Sequence, residues 1–215
     1  MMGCMGRTIA IGDIHGCSVA LRRLLGKIRP RKSDTLVLLG DYVDKGFDSA
    51  GTLDLVIDLM RRCTVVPLLG NHDEMMLRAR DSRAGLKRWI DKGGLSALES
   101  YGREADVSLI PELHFTFLEH CRPWYETETH FYVHANYDPR FPLAEQEEEA
   151  LRWVSLRDYV PGPHVSGKTA IVGHTPHFEV LDLGHLVCLD TGCPYDGKLT
   201  AMDVDTGQVW EAEEP

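Results

Sequence analysis

Three stretches near the start of the chain repeat one pattern of apolar and polar positions. Thr8-Ile9-Ala10-Ile11 runs into Gly12-Asp13, Thr35-Leu36-Val37-Leu38-Leu39 into Gly40-Asp41, and Val65-Val66-Pro67-Leu68-Leu69 into Gly70-Asn71. A short apolar run closed by glycine and a polar residue is the pattern of a strand buried on both faces. Between these runs, Val19 to Ile28 and Thr52 to Arg61 carry apolar residues at three- and four-residue spacing, which predicts amphipathic helices. Twenty-eight residues lead from position 13 to 41, and thirty from 41 to 71. A βαβ unit takes about 30 residues, and its parallel strands end at one edge of the sheet. Asp13, Asp41 and Asn71 are therefore expected together at the carboxyl edge, where open α/β sheets place their ligands.

From Asp73 to Cys121 the pattern predicts helices, broken at Gly93-Gly94 and Gly102, with Pro111 opening a further one. His130 to Ala135 alternates and predicts a strand ending at His134, and Ala170-Ile171-Val172-Gly173 predicts another ending at His174. Short strands follow near Phe178–Leu183, Leu186–Asp190, Leu199–Val204 and Gln208–Ala212, with a hairpin turn at Asp205-Thr206-Gly207. The charge run Glu145 to Glu149 reads as a solvated helix start. No internal repeat and no Pro-, Gly- or Ser-rich linker interrupts the chain. Its 215 residues suit one α/β domain over 1–215.

Composition changes this picture little. With 43% hydrophobic and 26% charged residues the chain can bury an ordinary core. A net charge of −10 argues against a broad surface for nucleic-acid backbone. It does not argue against a phosphorylated substrate, because bound metal ions reverse the local sign. No apolar run approaches the roughly 18 residues of a membrane span. The opening Met1-Met2-Gly3-Cys4-Met5-Gly6 lacks the apolar core and cleavage site of a leader, and none of the six cysteines forms a C-x-x-C pair. A reduced, cytoplasmic protein is expected.

The candidate chemistry lies in three motifs: Gly12-Asp13-Ile14-His15-Gly16, Gly40-Asp41-Tyr42-Val43-Asp44-Lys45-Gly46 and Gly70-Asn71-His72-Asp73. Carboxylate, imidazole and amide donors suit manganese, iron or zinc, not an all-oxygen calcium cage or an all-thiolate site. Two such ions about 3.5–4 Å apart can clamp a phosphoryl group, and a carboxylate between them would hold the pair. Asp41 is central in chain order. One Asp or His at a strand end is usually a cap or turn residue; three motifs in order at βαβ spacing call for more.

Other features are read more plainly. Gly162-Pro163-His164-Val165-Ser166-Gly167-Lys168-Thr169 matches the nucleotide P-loop letter for letter, but a strand, not a helix, is predicted to follow, so it is set aside. Cys17 reads as a small core residue. His114, His120, His130, His164, His177 and His185 read as structural or surface residues, and Trp89, Gly93-Gly94 and Tyr101 as a helical apolar face rather than a cleft wall.

The three motifs together resemble the PPP-type bacterial relatives of Ser/Thr protein phosphatases, within the calcineurin-like metallophosphoesterases, over Gly12 to about Gly207. The resemblance implies two mixed β-sheets packed as a sandwich flanked by helices. It implies two divalent ions, manganese first, with iron or zinc as alternatives. Asp13 and His15 would hold the first ion, Asp41 would bridge, and Asn71, His134 (in Val133-His134-Ala135) and His174 (in Gly173-His174-Thr175-Pro176) would hold the second. The implied reaction is phosphomonoester hydrolysis by direct in-line attack of a metal-bridging hydroxide, with His72 as general acid oriented by Asp44.

Two departures stand out. The family usually reads Asp-Arg-Gly where this chain has Asp44-Lys45-Gly46. Lysine neutralises a phosphate but cannot grip two oxygens with a planar fork, so looser substrate binding is expected. Bacterial relatives also tend to carry a phosphate-binding Arg soon after a Trp such as Trp153; here Arg157 is the first candidate and Arg152 the second. The implied partner is a phosphorylated protein or a small phosphoester, not nucleic acid or membrane. The alternative is hydrolysis of a diadenosine polyphosphate by the same centre. Relatives with that specialty tend to lack an acid at the position of Asp44, which favours the phosphatase here. A binding protein without turnover is disfavoured by the complete ligand set.

Overall fold

Alternate residues of each short strand face two different cores, which is why the strands read as unbroken apolar runs. In β1 (Thr8–Ile11) and β2 (Thr35–Leu38), Ile9, Ile11, Leu36 and Leu38 pack against α1 (Ser18–Ile28) and α2 (Ser49–Leu59) through Leu21, Leu24, Leu53 and Val56. Ala10 and Val37 point the other way, into a second core shared with Tyr132 of β5 (His130–Val133) and Ile171 of β6 (Thr169–Val172). Phe131, Val133, Ala170 and Val172 then face a third core with Leu151 of α7 (Glu148–Trp153). The result is helices, sheet, sheet, helices: two sheets buried face to face. The structure is a computed structural model describing residues 6–215, so the expectation for the leader and Cys4 falls outside it.

Both sheets are mixed. The first runs β11-β10-β1-β2-β3, with β3 (Thr64–Pro67), β10 (Lys198–Asp203) and β11 (Val209–Ala212), and β9 (Asp190–Thr191) also pairs with β10. The second runs β4-β5-β6-β8-β7, with β4 (Trp124–Glu126), β7 (Leu181–Asp182) and β8 (Leu186–Cys188). Strands β1, β2 and β3 are parallel, so Asp13, Asp41 and Asn71 leave from one edge. Strands β5, β6 and β8 are also parallel, and His134, His174 and Asp190 follow their ends.

Departures from the sequence pattern are local. Helix α2 begins three residues before Thr52, because the Asp48 carboxylate caps it by accepting from Gly51 N–H at 2.9 Å. The break predicted at Gly93-Gly94 is a kink between two helices, α4 (Arg83–Trp89), which follows α3 (Asn71–Asp81), and α5 (Leu95–Tyr101), which precedes α6 (Glu112–Glu119): Gly93 is non-helical, at φ 109°, within the turn Ile90–Gly94. The predicted strand at Phe178–Leu183 shrinks to β7, and Leu186–Asp190 divides between sheets, β8 in one and β9 in the other. Strand β4 was not anticipated. The segment before Thr169 is irregular and leads into β6, so the P-loop match has no helix to serve it. Among the described residues no helix is long and apolar enough to cross a membrane.

One buried carboxylate ties the start of β1 to the loop before β2. Asp34 is 1% exposed and accepts from Arg7 N at 3.1 Å, Arg7 Nε at 3.2 Å and Arg31 N at 2.8 Å. Burial pushes its carboxyl up, but the Arg7 guanidinium and these N–H donors outweigh that and hold it below the usual range. Folding therefore weakens its proton affinity. The stabilisation is complete above the unfolded-chain value, about 3.9, and is lost as pH falls through the lower native value. Asp34→Asn should lower the urea midpoint at neutral pH, at a cost of about 1–3 kcal/mol. The gap from the parent chain should narrow below about pH 4; a gap that does not change with pH would sink this account.

Candidate metal centre

The two carboxyl edges face one another, and their polar residues meet in an arc of lone pairs. His15 Nε2 lies 4.0 Å from Asp13 Oδ2 and 3.3 Å from Asp41 Oδ2. Asp41 Oδ1 lies 3.6 Å from His134 Nε2. Asn71 Oδ1 completes the arc, 3.1 Å from His134 Nε2 and 3.0 Å from His174 Nδ1. The arc brings together Asp13, His15, Asp41, Asn71, His134 and His174; all but the half-buried His174 are buried.

The glycines before these residues have a packing reason. A Cβ at Gly70 would strike the Asp41 carboxylate, and one at Gly173 would strike that of Asp13. Backbone strain is concentrated here as well: His15, Asp41, Asp44, Lys45 and His174 all have positive φ, between 47° and 72°. Left-handed backbone at non-glycine residues costs on the order of 1–3 kcal/mol each and persists where the surroundings over-determine it. The Asp73 carboxylate does some of that work, accepting from Gly70 N at 3.0 Å, Asp41 N at 2.8 Å and Tyr42 N at 2.9 Å.

The donor set fits divalent cations. His15 Nδ1 faces Val43 O at 2.8 Å and His134 Nδ1 faces Leu39 O at 2.8 Å. A carbonyl only accepts, so each Nδ1 carries the hydrogen and each Nε2 presents a bare lone pair to the arc. Burial pushes both rings toward the neutral form, and it pushes His174 down to about 4. Asn71 Oδ1 and two carboxylates add further lone pairs, which need a cation among them. Asp13 is raised well above the carboxylate range by burial and by Asp190 and Asp41. Asp41 is held well below that range: burial raises it, but His134, His72, His15 and Lys45 outweigh burial. Among the described residues, two groups have donor atoms close enough to hold an ion, His15-Asp41-His72 and Asp41-His134-His174, and Asp41 belongs to both.

His72 stands beside the arc, its ring T-shaped to His15 with centroids 4.9 Å apart. Its Nδ1 lies 2.7 Å from Asp44 Oδ2, and its backbone N–H donates to Asp41 Oδ1 at 2.9 Å. Lys45 Nζ lies 2.9 Å from His15 Nε2 and 5.4 Å from the Tyr195 ring centroid. Burial lowers the Lys45 ammonium, but Asp41, Tyr195 and Asp13 raise it further, so it stays cationic. Arg157 is exposed, donates to Pro176 O at 3.0 Å, and lines a cleft of about 520 Å³ with Thr191, Gly192 and Tyr195. Arg152 is 5% exposed and held by Glu74 and Glu148, so it supports the fold and does not reach the cleft.

Two residues at the site escaped the sequence reading. Asp190 is buried, close enough to raise the Asp13 carboxyl, and is itself pushed up to about 6, chiefly by burial. The strand before it was read as running through Asp190, which hid its place at the edge. Trp89 was read as an apolar face, yet its Nε1–H donates to both oxygens of Asp44.

The family model for the calcineurin-like phosphoesterases matches residues 6–203. The serine/threonine-protein phosphatase 1 of Salmonella typhimurium is 32% identical over 200 residues, 88% of each chain. The asymmetrical bis(5'-nucleosyl)-tetraphosphatase PrpE of Oceanobacillus iheyensis is 26% identical over 219 residues, 89% of this chain and 86% of that one. Among solved structures, one whose protein was put forward as a diadenosine tetraphosphatase superposes with a TM-score of 0.73 at 25% identity. It covers 99% of this chain and 95% of its own.

Proposed function

The chain belongs to the calcineurin-like phosphoesterase family, and we propose that it hydrolyses phosphomonoesters in the manner of a Ser/Thr protein phosphatase. The observation that carries this reading is the His72–Asp44 pair, 2.7 Å apart, beside an arc of six metal-fitting side chains. Asp13, His15 and Asp41 would hold one divalent ion, and Asp41, Asn71, His134 and His174 the other, with manganese the first choice and iron or zinc the alternatives. Such a pair supplies Lewis acidity toward phosphoryl oxygens and makes water a nucleophile near neutral pH.

The side chains around the arc supply the rest. Asp44 fixes the tautomer and direction of the His72 ring, leaving Nε2 to hand a proton to the departing oxygen. Lys45 neutralises phosphate charge as a point cation, without the two-pronged grip of an arginine. Arg157, at the rim of the adjoining cleft, supplies a second cation where a substrate would enter. The partner is then a phosphorylated protein or a small phosphoester, with no nucleic-acid or membrane partner. Free thiols at Cys17, Cys63, Cys121, Cys188 and Cys193 support a cytoplasmic setting. The relatives named as bis(5'-nucleosyl)-tetraphosphatases favour a second reading, phosphoanhydride hydrolysis of a diadenosine polyphosphate at the same centre.

Turnover of p-nitrophenyl phosphate, a phosphothreonine peptide and diadenosine tetraphosphate by metal-stripped protein, with and without added Mn²⁺, separates the readings. The expected result is Mn²⁺-dependent release of phosphate from the two monoesters. Faster cleavage of the dinucleotide would move the function to the second reading. No turnover of any substrate, with two ions bound per chain, would remove both.

A further inference from the structure

The indole of Trp89 and the carboxylate of Asp44 are 45 residues apart in sequence, yet Nε1–H donates to both carboxylate oxygens, at 2.9 Å to Oδ1 and 2.8 Å to Oδ2. The second oxygen also faces His72 Nδ1 at 2.7 Å. Asp44 and Trp89 are wholly buried, at 0% exposure, whereas His72 retains 7%. The carboxylate is shut off from bulk solvent, and these two donors set its plane. Its backbone is held in the left-handed region at φ 72°, a conformation that needs support from outside the loop. Burial raises the Asp44 carboxyl, and the donors from His72 and Trp89 offset only part of that rise.

The seat of the indole is built to match. A Cβ at Gly94 would lie 2.6 Å from Cγ, Cδ2 and Cε2 of the ring, so the kinked turn Ile90–Gly94 presents bare backbone to it. A phenylalanine could occupy much of the same volume; it would lack the N–H. We propose that Trp89 is a positioning residue for the general acid: its N–H fixes the plane of the Asp44 carboxylate, which in turn fixes the ring of His72. The proposal rests on the reading of His72 given above.

The test uses the full chain loaded with Mn²⁺ and two aryl monoesters. Phenyl phosphate has a leaving group that needs a proton, and dinitrophenyl phosphate has one that does not. His72→Asn provides the reference. Trp89→Phe is expected to lower kcat for phenyl phosphate roughly tenfold to a hundredfold, and kcat for dinitrophenyl phosphate less than about threefold, with both KM values unchanged. Trp89→benzothienylalanine keeps the ring shape and replaces N–H by sulfur, and should show the same split even where Trp89→Phe fails to fold. Equal losses on both substrates, or no loss on phenyl phosphate, would overturn the proposal. If His72→Asn does not discriminate between the esters, the general-acid reading fails and the proposal fails with it. If His72→Asn discriminates and the Trp89 variants do not, only the role of Trp89 is lost.

Discussion

Asp41→Asn should abolish metal binding and catalysis together while leaving the chain folded. Asp41 is 1% exposed and, among the described residues, is the carboxylate shared by both groups of donor atoms that could hold an ion. Its Oδ1 accepts the backbone N–H of His72 at 2.9 Å, and an asparagine amide oxygen can keep that bond. What the amide cannot supply is the negative charge that would hold two cations together. Losing several kcal/mol of charge stabilisation corresponds to a fall of about a thousandfold or more in kcat/KM, at about 1.4 kcal/mol per tenfold. A ligand that binds only the native state raises the melting temperature. Mn²⁺ should therefore raise it in the parent chain and not in the variant. A variant that keeps two ions per chain and that thermal shift would show that Asp41 does not join the pair.

The second large effect is expected from His72→Asn, and its value lies in the metal count. The distances allow two roles, because His72 clusters with His15 and Asp41 as closely as a ligand would. Its Nδ1 is engaged by Asp44 at 2.7 Å, so a ligand role would use Nε2, and so would proton transfer. If His72 is the acid, the variant should lose roughly 10²–10⁴-fold in kcat with KM little changed and both ions retained. If it is a ligand, one ion should be lost with the activity. Metal analysis of the purified variant decides between them, and loss of an ion would remove the general-acid reading.

Fold and site were legible in the sequence to different depths. The strand–Gly–ligand units around Asp13, Asp41 and Asn71 announce themselves because each is local: an apolar run, a glycine, a donor, and a helix-length gap before the next. His134 and His174 were visible as strand ends. That they oppose the first three residues follows only from the second sheet packing face to face on the first, through Tyr132 and Ile171 against Ala10 and Val37. Arg152 and Arg157 are both cations beside one tryptophan in sequence. Burial against Glu74 separates the structural one from the one at the cleft. Strand β4 was missed because three residues are too few for a period to register.

The sequence by itself determined the longer strands and helices, the carboxyl edge and the types of donor placed on it, since periodicity, glycine and residue chemistry act over a few positions. The tertiary structure alone decided what faces what. His174 N–H reaches Asp13 across 161 residues, Asp190 comes close enough to shift the Asp13 carboxyl, and Trp89 turns its one polar atom to Asp44. Hydrogen bonds of that span leave no periodic trace in a sequence. They form when two packed sheets and a kinked helical turn bring their ends together, and the burial they create then sets which carboxyl groups stay charged.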